Sequence, residues 1–167
     1  MFKLAWSKNG TPNTLSGTAD DCDITDLTAY KFNVFLSHEI PSGNIAGDIS
    51  FNNNSNTVYA SRKNTNGGGE VTQTSKTFHE LNTNYGDVPA EGLFTVNYTC
   101  SISGEEKLTM LWQVNDSTAG ETNAPERVEF VGKFVPSPDA DITRIDYNNA
   151  ESGDFAAGSN LSALGTD

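Results

Sequence analysis

Apolar residues in this chain recur at every second position in short runs, which is the spacing of a strand with one face covered. In "KFNVFLSHEI", Phe32, Val34, Leu36 and His38 fall on one face, and Asn33, Phe35, Ser37 and Glu39 on the other. In "LFTVNYTCSI", Phe94, Val96, Tyr98, Cys100 and Ile102 share a face opposite Thr95, Asn97, Thr99 and Ser101. In "RVEFVGKFV", Val128, Phe130, Gly132 and Phe134 alternate with Glu129, Val131 and Lys133. No long window keeps apolar residues at i, i+3, i+4 and i+7, so helices are not expected. The runs predict strands near Lys3–Trp6, Asp23–Asp26, Lys31–Ile40, Ala46–Phe51, Thr57–Arg62 and Val71–Leu81. Further strands are predicted near Leu93–Ile102, Lys107–Val114, Arg127–Val135, Ile142–Tyr147 and Asn160–Leu164. About ten short strands at such spacing imply a sandwich or barrel. The expected fold is all-β: a two-sheet antiparallel β-sandwich of jelly-roll type. It is expected as a single domain over residues 1–167, with a small-residue-rich segment near 150–167 adding a last strand.

Between the runs lies turn chemistry. "PSGN" at Pro41–Asn44 offers Pro for turn position i+1 and Gly for a positive φ. "NGGGE" at Asn66–Glu70 and "SGEE" at Ser103–Glu106 are expected as hairpin loops. The polar stretch "FNNNSNTVYASRKNTNGGGE", Phe51 to Glu70, is expected to supply a strand and a long hairpin loop, its asparagines satisfying backbone groups locally.

Charge narrows the partners. With 22 acids against 10 bases the net charge is −12, and no Lys/Arg cluster offers counterion release. Nucleic acid and anionic membrane surfaces are therefore not expected partners. The two cysteines, Cys22 and Cys100, form no CxxC and read as small buried hydrophobes. "MFKLAWSKNGTPN" contains no apolar run of signal-peptide length, so synthesis without a cleaved secretion signal is expected.

Motifs for chemistry are sparse. "NGGGE" lacks the strand-to-helix setting and the Lys of a phosphate loop. "ADDCDITD" places Asp20, Asp21, Asp23 and Asp26 close together as calcium candidates, without the Gly and terminal Glu of an EF-hand. "SHEI" and "FHEL" put His38 before Glu39 and His79 before Glu80, neither completing HExxH. On a strand each His and its Glu point to opposite faces. Glu105–Glu106 or Asp139 with Asp141 have the residue types for glycoside hydrolysis, but no nucleophile motif is present, and the chain reads as a non-enzyme needing no cofactor. Tyr85 and Tyr59 are the candidate glycan contacts. Trp112, in the apolar run "LTMLWQV", is expected in the core.

The segments "FNNNSNTVYASR", "NAPERVEFVGKFV", "ITRIDYNNAESGDFAAGS" and "LSALGTD" bring in a resemblance. The chain resembles a group of small proteins encoded among virion genes of tailed phages and archaeal viruses, many of them marine. The similarity runs from Leu4 to Asp167, is best over Asn123–Phe134 and Ile142–Asp154, and departs at "NTNGGGEVTQTSK". It implies a virion structural protein, a capsid decoration or cement protein made in the host cytoplasm. The partners it implies are other copies of itself, as a homotrimer, and the major capsid or other virion proteins. The alternative is a receptor-binding or glycan-binding module of a tail or fibre, recognising cell-surface glycan. No catalytic residue carries over from the group.

Overall fold

In the computed structural model, residues 5–81, 92–115, 121–122 and 124–167 are described. The strands are β1 (Ser7–Lys8), β2 (Asn13–Thr14), β3 (Asp21–Ile24), β4 (Phe32–Glu39), β5 (Pro41–Ser42), β6 (Gly47–Phe51), β7 (Tyr59–Thr65) and β8 (Val71–Lys76). They continue with β9 (His79–Glu80), β10 (Leu93–Cys100), β11 (Lys107–Asn115), β12 (Glu126–Phe134), β13 (Ile145–Asn149), β14 (Asp154–Phe155) and β15 (Asn160–Thr166). The fold is all-β, every strand pair is antiparallel, and the described residues contain no helix, hence none long and apolar enough to cross a membrane.

A nine-stranded sheet runs β1-β15-β4-β10-β11-β12-β7-β8, with β2 also on β15; a second sheet runs β3-β13-β6-β9, and β14 pairs with β5. The β7–β8 connection turns on Asn66 and Gly67, both at positive φ, the Asn-Gly pair a tight hairpin prefers. β10 turns into β11 through Gly104, at φ 80. Asn52 works at longer range than the local role expected for it. Its side-chain oxygen accepts from the backbone N–H groups of Thr143 (2.9 Å) and Arg144 (3.1 Å), tying the β6 turn to the entry of β13.

The core lies between the two sheets. Cys22, Ile24, Ile49, Phe51, Ile145 and Tyr147 come from the smaller sheet, and Phe35, Tyr59, Leu111, Val128, Phe130, Phe134 and Leu161 from the larger one. Phe51 joins them: its ring centroid lies 6.1 Å from Phe35 and 5.7 Å from Phe134. The His79 ring meets Tyr59 edge-on at 5.0 Å and Phe130 at 5.1 Å. That ring explains the glycine in "FVGKF", since a Cβ on Gly132 would meet His79 Cε1 at 2.6 Å.

Strand positions follow the expected runs closely, with three departures. Of the expected first strand, Lys3 and Leu4 lie outside the described residues and Ala5–Trp6 are not strand; β1 follows directly at Ser7–Lys8. The expected Val71–Leu81 strand splits in two, because Ser75 takes a positive φ of 55 and the chain leaves the large sheet for the small one. β2, β5 and β14 are two-residue strands that no sequence period signals.

Candidate interaction face

Strands β4, β10, β11 and β12 lie side by side, so their alternation generates rows across the sheet. One row reads Leu36–Val96–Trp112–Glu129, the next Val34–Tyr98–Met110–Val131, and the next Phe32–Cys100–Leu108–Lys133. His38–Phe94–Val114–Arg127 completes the set. All of these rows lie on the face turned away from the second sheet. Eight of its large side chains are open to solvent, from 40% for Val114 to 55% for Leu108, with Trp112 at 51%, whereas Val34 is buried and Leu36 and Val96 are half-buried. Trp112 is therefore not in the core as expected. An apolar run locates a strand, but alternation alone does not say which face the second sheet covers.

The covered face of the same strands is polar. Asn33, Ser37, Thr95, Asn97, Thr99, Thr109 and Gln113 are all buried. Those of β10 and β11 bond one another across the two strands, although Asn97 Nδ2 has no partner among the described residues. The Thr99 and Thr109 hydroxyls lie 2.8 Å apart, both within bonding distance of Asn97 Oδ1. Thr95 Oγ1 accepts from Gln113 Nε2 (3.1 Å) and from the Tyr147 hydroxyl (3.0 Å), the latter linking the two sheets. Short polar groups that pair with each other carry little desolvation cost.

At the rim of this layer, Lys107 is wholly buried. Its ammonium donates to the carbonyls of Ile102 (2.7 Å) and Glu105 (2.9 Å) and to Asp139 Oδ1 (2.8 Å), fastening the β10–β11 turn. Hydrogen bonding to Lys107 holds the Asp139 carboxyl below its ordinary range. Lys107→Ala leaves two carbonyls without their donor, and a loss of about 2 kcal/mol is expected in urea unfolding.

Other titratable groups lie inside the sandwich. Glu39 is buried, no described residue lies at hydrogen-bond distance from either carboxylate oxygen, and burial pushes its carboxyl up to about 8. The hydroxyls of Ser37, Tyr147 and Thr95 are near enough to offset part of that shift without making close bonds. Burial, reinforced by Glu80, pushes Asp48 up to about 8, while Lys63 and Lys76 pull it back. Burial drives His79 down to about 3, so its ring is a neutral core filler. Cys22 is buried and pushed up to about 12 by that burial, and Cys100 is half-buried on the outer face.

The acidic run does not converge. Asp21 and Asp23 point away from Cys22 and Ile24, which fill the core. Asp26 instead accepts from the Thr11 amide (2.8 Å) and hydroxyl (2.7 Å). Asp23 and Asp146 share Arg144, and Asp20 lies beside Asp154. Among the described residues no three His, Cys, Asp or Glu side chains are grouped so as to hold a metal ion. Glu106 pairs with Lys133 at 3.0 Å, and Asp139 with Lys107. Tyr59, named as a glycan contact, is a core residue instead. It is stacked on Phe134 at 4.8 Å, and its hydroxyl accepts from the Phe51 amide at 2.9 Å, which fixes it inside. Tyr85, the other glycan candidate, lies outside the described residues.

What the fold and this surface define is an antiparallel all-β protein whose larger sheet turns an apolar face to solvent. No family model matches the chain, and no curated protein matches its sequence.

Proposed function

We propose that this is a non-enzymatic structural protein of a virion, a decoration or cement protein that works by burying surface against neighbouring subunits. The observation that carries the reading is the open apolar face across β4, β10, β11 and β12. Contiguous apolar surface on this scale marks an interaction site in a soluble protein. The resemblance to virion-region proteins supplies the setting, and the major capsid protein and other copies of this chain are the neighbours it implies. Within the all-β class we read the sandwich as a jelly-roll variant, because the chain passes between the two sheets repeatedly, with the β10–β11–β12 meander as its departure. Quantitative mass spectrometry of purified particles tests the reading. Stoichiometric copy number is expected, and absence from the particles overturns it.

One observation favours the second reading, a glycan-binding module. Trp112 borders a groove of about 370 Å³ that also takes in Arg62, Asn64, Glu70 and Glu129. An exposed indole beside such polar groups suits a sugar ring. Saturable quenching of Trp112 emission by a host-envelope glycan fraction would favour this reading over the first.

A further inference from the structure

We propose that the apolar face of the large sheet is the seat of a second copy of this chain, packed face to face about a two-fold axis. The inference rests on the assembly reading above and names the partner of that surface.

Area gives the first argument. Eight large side chains on this face, Phe32, Trp112 and Leu108 among them, are each about half exposed, and at roughly 200 Å² per large side chain they present on the order of 750 Å². A stable interface takes about 800 Å² from each partner, so this one face suffices without help from the rest of the molecule.

Charge gives the second. A chain of net charge −12 repels its own copies, yet this face is locally balanced. Arg62 pairs with Glu70, Arg127 with Glu129 at 3.5 Å, and Lys133 with Glu106 at 3.0 Å. Much of the acidic excess (Asp20, Asp21, Asp23 and Asp146) belongs to the smaller sheet and the approach to it. Stacking two sandwiches through their large sheets separates the two acidic backs by three inter-sheet spacings, about 30 Å. That distance is well beyond a screening length of about 8 Å. A basic partner would be drawn to the acidic back instead, and a second copy is the partner that suits the neutral front.

Shape gives the third. A flat sheet face is self-complementary under a two-fold, because two such faces pack at about 10 Å with strands near −30°. The trimer implied by the resemblance needs two different complementary patches on each copy. The described residues offer one continuous apolar face spanning four strands.

Light scattering of the full chain over a range of concentrations is the test, with Met110→Glu and Leu108→Glu as variants. Both side chains point outward, so circular dichroism of the variants should match the parent. The parent is expected at twice the 17.9 kDa chain mass. Either variant should raise the dissociation constant by at least about thirtyfold, as at a central interface position. Trp6 and Trp112 are the two tryptophans, so a Trp6→Phe chain reports Trp112 alone, and its emission should move to the blue on association. A parent that stays monomeric, a trimer, or a dimer indifferent to both variants would each overturn the inference. A monomer found at stoichiometric copy number in virions would overturn only the two-fold pairing. A dimer absent from virions would overturn only the virion reading.

Discussion

Glu39→Gln is expected to stabilise the protein by about 3 kcal/mol at pH 7 and to change little at pH 4, because the folded carboxyl sits near 8 against an ordinary 4.5. The sign follows from proton uptake. Between pH 4.5 and about 8 the unfolded chain has lost this proton while the folded chain retains it, so folding must take one up. Stability of the parent therefore falls as pH rises through that window and levels off above it. Asp48 is shifted in the same direction for the same reason, so Glu39→Gln should reduce the slope and the double variant with Asp48→Asn should reduce it further. A glutamine is isosteric and can use the hydroxyls of Ser37, Thr95 and Tyr147 around the site. Urea midpoints at pH 4, 6 and 8 check this. A parent whose stability rises steadily from pH 5 to pH 8 would mean that Glu39 ionises freely in the folded state.

Phe51→Ala should cost about 3–5 kcal/mol, the range for emptying a fully buried aromatic site. Phe51 ends β6 in the small sheet, and its ring packs on Phe35 and Phe134 of the large one. Its backbone also holds the Tyr59 hydroxyl: the amide donates to it at 2.9 Å and the carbonyl accepts from it at 3.3 Å. Removing the ring thus opens a cavity where the two layers are joined, and the cavity cannot close without moving a strand. The check is a lowered urea midpoint at unchanged slope. Trp112→Ala, measured on the dissociated chain, should stay within about 0.5 kcal/mol although the side chain is larger, because it leaves no cavity.

The strands were legible because the period of two is strong, and in β12 it also indicated the right face. Val128, Phe130 and Phe134 are inside, with Glu129 and Lys133 out. In β10 and β11 the same period misleads. Hydropathy alone puts Phe94, Tyr98, Met110 and Trp112 inside, whereas the structure buries Thr95, Asn97, Thr99, Thr109 and Gln113. What decides the matter is mutual hydrogen bonding between β10 and β11, and a linear sequence shows no such pairing until the register is known. The hint was in the polar face itself. Apart from Glu39 and Lys107 at its ends, its polar residues are Thr, Asn, Ser and Gln, short uncharged groups that can satisfy each other. The isolation of Glu39 and the balanced charge of the outer face depend equally on what the fold brings near them.

Because adjacent residues of β10 and β11 face opposite surroundings, two selections act on the same ribbon in alternation. A mutational scan scored by soluble yield should respond at the odd-numbered positions from Thr95 to Thr99 and from Lys107 to Gln113, and stay nearly silent at the even ones between them. A scan scored by assembly should give the complementary comb. Drift toward polar residues at the even positions would thus leave a chain that folds alone and has lost its place among its neighbours.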